Sequence, residues 1–219
     1  MKKLTFAITM SLATLFAGCS KDDDNKSDTT VTPVVEPNGK TLVVYFSKTL
    51  PEGVDGTSGA TQVFDNQGAT QYVANRIVEN IDADIQRITV ADGYYPNEYQ
   101  AVADFAKAEK ESDTHPALTS KLDNLADYQN IIIGFPIWWY TMPMPIYSFF
   151  DEYDFSGKNI MIFTTHEGSG LGGSPETIRG LEPDANVSSD GFSSRGSAVS
   201  SADSNIENWL SGLGFEKKN

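Results

Sequence analysis

The sequence predicts an α/β protein built on a doubly wound, five-stranded parallel sheet. Apolar, β-prone runs alternate along the chain with segments of helical periodicity, which is the pattern of strand–helix–strand units. The strongest runs are continuous rather than alternating, as expected for strands covered by helices on both faces. With 219 residues, 39% of them hydrophobic, the chain is long enough for one domain with a substantial core.

The predicted strands are short runs, of which residues 41–47, 130–135 and 159–165 are largely apolar. The run 130–135 is the strongest strand signal in the chain, and the last of the five runs is the weakest. The predicted strands, in chain order, are residues 41–47, 84–90, 130–135, 159–165 and 186–192.

A predicted helix follows each predicted strand. The first helix has apolar residues at positions 69, 73, 77 and 81, which is helical spacing, and the last has an apolar stripe that includes Ile206, Trp209 and Leu213. In doubly wound sheets, ligands bind beyond the carboxyl ends of the strands, so the loops there are the candidate site. The predicted helices, in chain order, are residues 69–81, 97–111, 145–152, 175–181 and 202–213.

The chain before the predicted domain, which spans residues 40–219, carries an export signal. Two lysines followed by the apolar run 4–17 are typical of a signal peptide, and the run is too short for a membrane span. Residues 15–19, Leu-Phe-Ala-Gly-Cys, resemble a lipobox, which implies cleavage after residue 18 and acylation of Cys19. The alternative is an ordinary secretory cut that leaves a free cysteine. Residues 19–39 are polar and predict a disordered tether.

The lipobox implies an exported protein that is lipid-anchored to the bacterial cell envelope, at the outer membrane, facing the periplasm or the cell surface. The formal net charge of −14 argues against nucleic-acid binding and against membrane contact other than through the anchor. Cys19 is the single cysteine, so no internal disulfide is possible. The two histidines, His115 and His166, lie far apart in sequence, and no cluster predicts a metal site.

Several segments of the chain resemble the flavodoxin family, especially a branch with a long first loop and a double tryptophan. This resemblance implies the strand order 2-1-3-4-5 and an FMN cofactor. The matching segments lie between residues 41 and 219; they are residues 43–48, 68–70, 134–143, 155–158 and 164–170.

The resemblance assigns the FMN phosphate to the first loop and to the start of the following helix. The amino end of a helix offers unpaired backbone N–H groups and a partial positive charge, so it suits an anion. Ala69 stands where this branch usually has asparagine, which removes one polar contact. A competing phosphate loop at residues 58–61 is rejected because residues 65–68 break any helix that would follow it. The implied phosphate-site residues are Ser47, Thr49, Ala69, Thr70 and Gln71.

The isoalloxazine ring is assigned to the second and third loops. Adjacent tryptophans after a buried strand point in different directions, so one is expected in the core and the other against the flavin. His166 or Glu167 could relay the proton that the flavin gains on reduction; the alternative is a neutral, hydrogen-bonded histidine. The implied ring-site residues are Pro136, Ile137, Trp138, Trp139, Thr165, His166, Glu167 and Gly168.

Two functions remain open at this point. The first is redox: an electron carrier, or an FMN-dependent oxidoreductase, with an unidentified electron donor and acceptor. The second is a binding module that keeps the fold but has lost or changed its cofactor, for which the altered residue Ala69 is the supporting feature.

Overall fold

A parallel sheet in the order β2-β1-β3-β4-β5 forms the centre of the protein, as predicted. The computed structural model describes residues 37–48 and 67–218. Neighbouring strands pair in parallel register, for example Val43 with Ile132 and Ile132 with Met161. The strands are β1 Thr41–Phe46, β2 Asp84–Ile88, β3 Asn130–Pro136, β4 Asn159–His166, β5 Asn186–Val187 and β6 Phe192–Arg195.

The fifth predicted strand, residues 186–192, is in fact two short strands. Both β5 and β6 pair with β4, the first near its start and the second near its end. Between them the Asp190 amide donates to Ser188 Oγ (3.1 Å), so a side chain replaces a strand partner. A Cβ at residue 191 would lie 3.0 Å from the Ile162 carbonyl oxygen, which explains why a glycine stands between β5 and β6.

The five predicted helices are all present, and their ends differ from the predicted ones by at most two residues. The first four strands begin where predicted and also end within two residues of the predicted positions; β2 ends at Ile88, and Val90 instead forms an antiparallel bridge with Leu118. The helices are α1 Ala69–Asn80, α2 Tyr99–Ser112, α3 Met144–Glu152, α4 Ser174–Leu181 and α5 Asp203–Gly212.

Two apolar cores lie on opposite faces of the sheet. Because side chains alternate along a strand, Val44 and Phe46 of β1 enter one core while Val43 and Tyr45 enter the other. The first core includes residues of α2, α3 and α4, and the second includes residues of α1 and α5. Both faces of β1 and β3 are therefore buried, which explains their continuous apolar runs.

The predicted export signal, Cys19 and residues 19–36 of the tether lie outside the described residues, as do Thr49 and the loop 58–61. Within residues 37–48 and 67–218, none of the helices has the length and apolar character needed to cross a membrane.

Candidate cofactor-binding site

The first part of the site is the end of β1. Ser47 follows this strand directly and is 3% exposed, and its Oγ has no hydrogen-bond partner among the described residues. An unsatisfied buried hydroxyl costs about 1–3 kcal/mol, so a ligand that bonds it would recover that free energy. The Ser47 carbonyl oxygen accepts a hydrogen bond from Arg87 Nη2 (2.5 Å). Ser47 therefore fits the anion that the sequence predicts here.

The second part is the amino end of α1. The helix is preceded by Gly68, no side chain among the described residues caps it, and its first backbone bond runs from the Tyr72 amide to the Gly68 carbonyl (2.9 Å). The amides before Tyr72 are thus the donors that a helix start offers to an anion. Thr70 is fully buried, and its Oγ1 lies 2.7 Å from Thr165 Oγ1 at the end of β4.

Ala69 has a packing role. It is fully buried and belongs to the core between the sheet, α1 and α5. Core packing alone explains a methyl group at this position. Ala69 is therefore weak support for a binding module that has lost its cofactor. Only its backbone amide remains for a phosphate contact, and the neighbouring Gln71 is partly exposed.

A tight turn after β3 forms the third part. The backbones of Trp138 and Thr141 exchange two hydrogen bonds (2.9 and 3.0 Å), and the two residues between them, Trp139 and Tyr140, have φ of 49° and 67°. Two successive positive φ values are the signature of a type I′ turn and are uncommon for bulky residues. Lys110 Nζ stabilises the turn by donating to the Trp139 carbonyl oxygen (2.7 Å).

The turn separates the two tryptophans. Trp138 is 3% exposed and packs edge-on against Phe46 and Tyr95, with ring centroids 5.5 and 5.3 Å away. Trp139 is 39% exposed, donates from Nε1 to the Ala103 carbonyl oxygen (2.8 Å), and has Lys107 Nζ 5.5 Å from its ring centroid. Of the two rings, Trp139 is therefore the one accessible to a ligand, and its contact with a flavin stays a prediction.

The loop after β4 packs tightly against the loop after β3. The Ile137 amide donates to the Thr165 carbonyl oxygen (2.8 Å), continuing the pairing of the two strands, which includes Pro136. Gly172 has φ of 59°, and a Cβ there would lie 2.9 Å from Ile137 Cδ1. A larger residue at 172 would push the two loops apart.

His166 ends β4 as a buried histidine. Burial and the nearby Arg195 guanidinium both lower its pKa. The Gly168 amide donates to His166 Nδ1 (2.8 Å), so the neutral ring carries its proton on Nε2. These contacts favour the neutral alternative for His166 near pH 7. Glu167 is exposed, and its carbonyl oxygen accepts from Arg195 Nη1 (2.7 Å), so proton relay by either residue stays a prediction.

Two groups near this edge were missed by the sequence analysis. The Arg87 side chain contacts the end of β1 through its hydrogen bond to Ser47. A lone arginine in a half-exposed strand does not predict this contact from the sequence. Glu109 is 4% exposed and accepts hydrogen bonds from the hydroxyls of Tyr94 (2.6 Å) and Tyr95 (2.8 Å). Burial raises the pKa of the Glu109 carboxyl, an effect that the two hydroxyls oppose. Tyr95 packs on Trp138, so Glu109, by accepting from Tyr95, helps to fix the aromatic side chains against which the turn packs.

The loops after β1, β3 and β4 therefore lie at one edge of a parallel sheet ordered 2-1-3-4-5, and the family model described as Flavodoxin matches residues 60–212 of this chain. The chain belongs to the flavodoxin family. Comparison with curated proteins gave no match.

Solved structures agree with assignment to the flavodoxins. A provisionally assigned flavoprotein from Bacteroides uniformis is 29% identical, with a TM-score of 0.61 and coverage of 79% of this chain and 98% of that chain. A second one, from Bacteroides eggerthii, is 26% identical, with a TM-score of 0.59 and coverage of 82% and 100%. A flavoprotein from Lactobacillus acidophilus, solved in complex with FMN, shares the fold at 20% identity, with a TM-score of 0.53 and coverage of 74% and 97%.

Proposed function

We propose that the chain binds FMN at the carboxyl ends of β1, β3 and β4 and acts in electron transfer or in flavin-dependent reduction. Membership of the flavodoxin family and the likeness to the Bacteroides uniformis flavoprotein support the ligand class. The observation that carries the proposal is the 2.7 Å contact between Thr70 and Thr165. It joins the helix start suited to a phosphate with the loop suited to a flavin ring, so one elongated ligand can use both.

The residues present fit FMN at its phosphate end. Ser47 offers a buried hydroxyl without a described partner, and the start of α1 has no side-chain cap from the described residues. The partial positive charge of a helix start and a hydroxyl donor attract an anion even in a protein with a net charge of −14. Thr49, the other implied phosphate contact, lies outside the described residues and remains part of the proposal.

The residues also fit a flat ring. Trp139 presents a partly exposed aromatic ring in the second loop, and Gly168, with φ of 149°, places no side chain at its own position in the third loop. FMN supplies the electron-transfer chemistry when bound. The chain's own residues bind the phosphate, orient the ring and, at His166 Nε2, hold a proton near pH 7.

Titration of the purified protein with FMN and with riboflavin tests this function. We expect tight FMN binding, followed by visible flavin absorbance and quenching of tryptophan fluorescence. Because the two ligands share the ring, a preference for FMN measures the phosphate site. Two hydrogen bonds to a charged group, each worth roughly 1.5–3 kcal/mol, correspond to more than a hundredfold preference. A protein that carries no flavin absorbance after incubation with excess FMN and removal of the free flavin would exclude the proposal.

We further propose that the domain is held at the cell envelope by acylation of Cys19. The support is the lipobox-like sequence 15–19, which contains the single cysteine of the chain. The electron donor and acceptor would then be partners at the envelope.

A further inference from the structure

A cavity of about 270 Å³ lies at the carboxyl ends of β1 and β2. Its lining includes Ser47 and Lys48 after β1, Arg87 of β2, the segment 89–93 that follows β2, and Tyr95. Among the described residues, none from α1 or from the loops after β3 and β4 lines it. The cavity therefore borders the proposed FMN site at Ser47 but is built mainly from different residues.

Two cations in this lining have no ion-pair partner among the described residues. Within the described part of the chain, neither Lys48 nor Arg87 lies within 4.0 Å of a carboxylate. Lys48 Nζ donates to the neutral amide oxygen of Asn97 (3.2 Å). Arg87 Nη2 donates to the Ser47 carbonyl oxygen, but Arg87 Nε is buried and has no described partner. The guanidinium thus keeps a buried donor for a ligand.

The two cations also repel each other. Burial and the Arg87 charge both lower the pKa of the Lys48 ammonium group. An anion between them would offset this repulsion and would accept a hydrogen bond from Arg87 Nε. Asp92 also lines the cavity, but it is exposed and forms no ion pair with Lys48 or Arg87. In a chain with 30 acidic and 16 basic residues, anions are repelled overall, so binding one requires local cations of this kind.

We infer that this cavity is a second anion site, which binds the carboxylate or phosphate group of a small molecule. A guanidinium matches the two oxygens of either group, and an ammonium group adds a point charge. The binding of an anion in this cavity does not rest on the proposed FMN function. The volume of the cavity suits a small molecule rather than a macromolecule.

Calorimetric titration of the full-length, FMN-saturated protein with inorganic phosphate, and separately with acetate, tests the site. The titrations are made at low ionic strength in a non-ionic detergent. We expect saturable binding of at least one of the two anions, and the tighter one identifies the chemical group. Arg87→Gln and Lys48→Gln should each weaken binding roughly tenfold or more, since each removes a charged hydrogen-bond partner. Arg87→Lys, which keeps the charge, should bind more tightly than Arg87→Gln.

Arg179→Gln is the matched control, because it removes the same charge from α4 at the opposite edge of the sheet. Its anion affinity should equal that of the wild type. Equal anion affinity of the wild type, Arg87→Gln and Lys48→Gln would overturn the inference. Lys48 is partly exposed outside the strands, so its variant should fold even if Arg87→Gln does not.

Flavin titrations separate the cavity from the cofactor site. Lys48→Gln should retain the wild-type ratio of FMN to riboflavin affinity; loss of this preference would make the cavity part of the FMN site and overturn the inference. If the wild type binds no FMN, the proposed function fails, and the anion titration is repeated on the flavin-free protein. Anion binding that is lost in Arg87→Gln but kept in Thr70→Ala would still support an anion site in the cavity. The reverse pattern would overturn the inference.

Discussion

The hydroxyls of Thr70 and Thr165 lie 2.7 Å apart, and both side chains are fully buried. This contact connects the first turn of α1 to the end of β4, across the edge of the sheet where the candidate site lies. The two residues are separated by 95 positions in sequence, yet they fix the distance between the proposed phosphate and ring subsites. A change at either hydroxyl should therefore affect both the stability of the domain and its ligand binding.

Thr70→Ala should lower the free energy of unfolding by about 1–3 kcal/mol, because it leaves the buried Thr165 hydroxyl without this partner. It should also weaken FMN binding more than riboflavin binding, since Thr70 lies in the turn assigned to the phosphate. Thr70→Ser keeps the hydroxyl and is the control. Chemical denaturation and flavin titrations measure the two effects. Equal FMN-to-riboflavin ratios in the wild type and in Thr70→Ala would remove Thr70 from the phosphate site.

The two tryptophans should respond differently to substitution. Trp138→Ala should destabilise the domain by about 3–5 kcal/mol, because a large buried ring is lost from the core. Trp139→Ala should leave the fold nearly unchanged but weaken binding of both FMN and riboflavin and reduce the quenching of tryptophan fluorescence. Tyr140→Ala, at the next and more exposed position, is the control for the turn. Wild-type flavin affinity in Trp139→Ala would show that its ring does not stack on the flavin.

The periodicity of the sequence predicted the sheet and the helices because those patterns are local. Apolar residues at 69, 73 and 77 define a helix face wherever the helix packs, and the continuous run in β3 requires burial on both faces. The split between β5 and β6 was not predictable in this way. It depends on the close approach of Gly191 to Ile162 of β4, which is a contact between separate elements.

The site was predicted less completely than the fold. The sequence indicated that the two tryptophans would separate, but the positive φ values of Trp139 and Tyr140 determine which ring is buried. Arg87 and Glu109 were missed because a charged residue in a strand or helix ordinarily faces solvent. Their roles arise from tertiary contacts with Ser47 and Tyr95, which no local pattern reports.

Gly134→Ala should destabilise the sheet beneath the site. A Cβ at Gly134 of β3 would lie 1.8 Å from the nearest ring atom of Phe163 on β4, so the ring must move from a filled core. Overpacking of this kind costs typically about 1–3 kcal/mol. Gly180→Ala is the control: apart from its chain neighbours and the backbone of its own helix, no described atom lies within 4 Å of the new methyl group, and alanine favours the helix by roughly 0.5–1 kcal/mol. Thermal or chemical denaturation measures both, and equal stability of the two variants would contradict the packing argument.

Cys19→Ala should release the protein from the membrane fraction. Lipid chains on the cysteine would provide the attachment, and two or more membrane signals are needed for stable anchoring. Cell fractionation and mass spectrometry of the mature amino terminus measure the effect; Ser20→Ala is the control for a change beside the lipidated position. Wild-type protein found wholly in the soluble cytosol would contradict both export and anchoring.

The final prediction concerns the protonation of His166, whose pKa is lowered by burial and by Arg195. Arg195→Gln should raise this pKa, but burial should still hold it below the ordinary value of about 6.5. Proton NMR of the ring C–H groups measures it directly, since His115 is the only other histidine and is assigned with His115→Gln. Because the unfolded chain binds this proton more readily than the folded one, the contribution of His166 to stability is full above pH 6.5 or so. It is lost as the pH falls through the lower, folded-state pKa. His166→Gln should therefore flatten the pH dependence of unfolding in that window. A pKa of His166 at or above the ordinary value, unchanged in Arg195→Gln, would contradict the assignment of a neutral histidine at the end of β4.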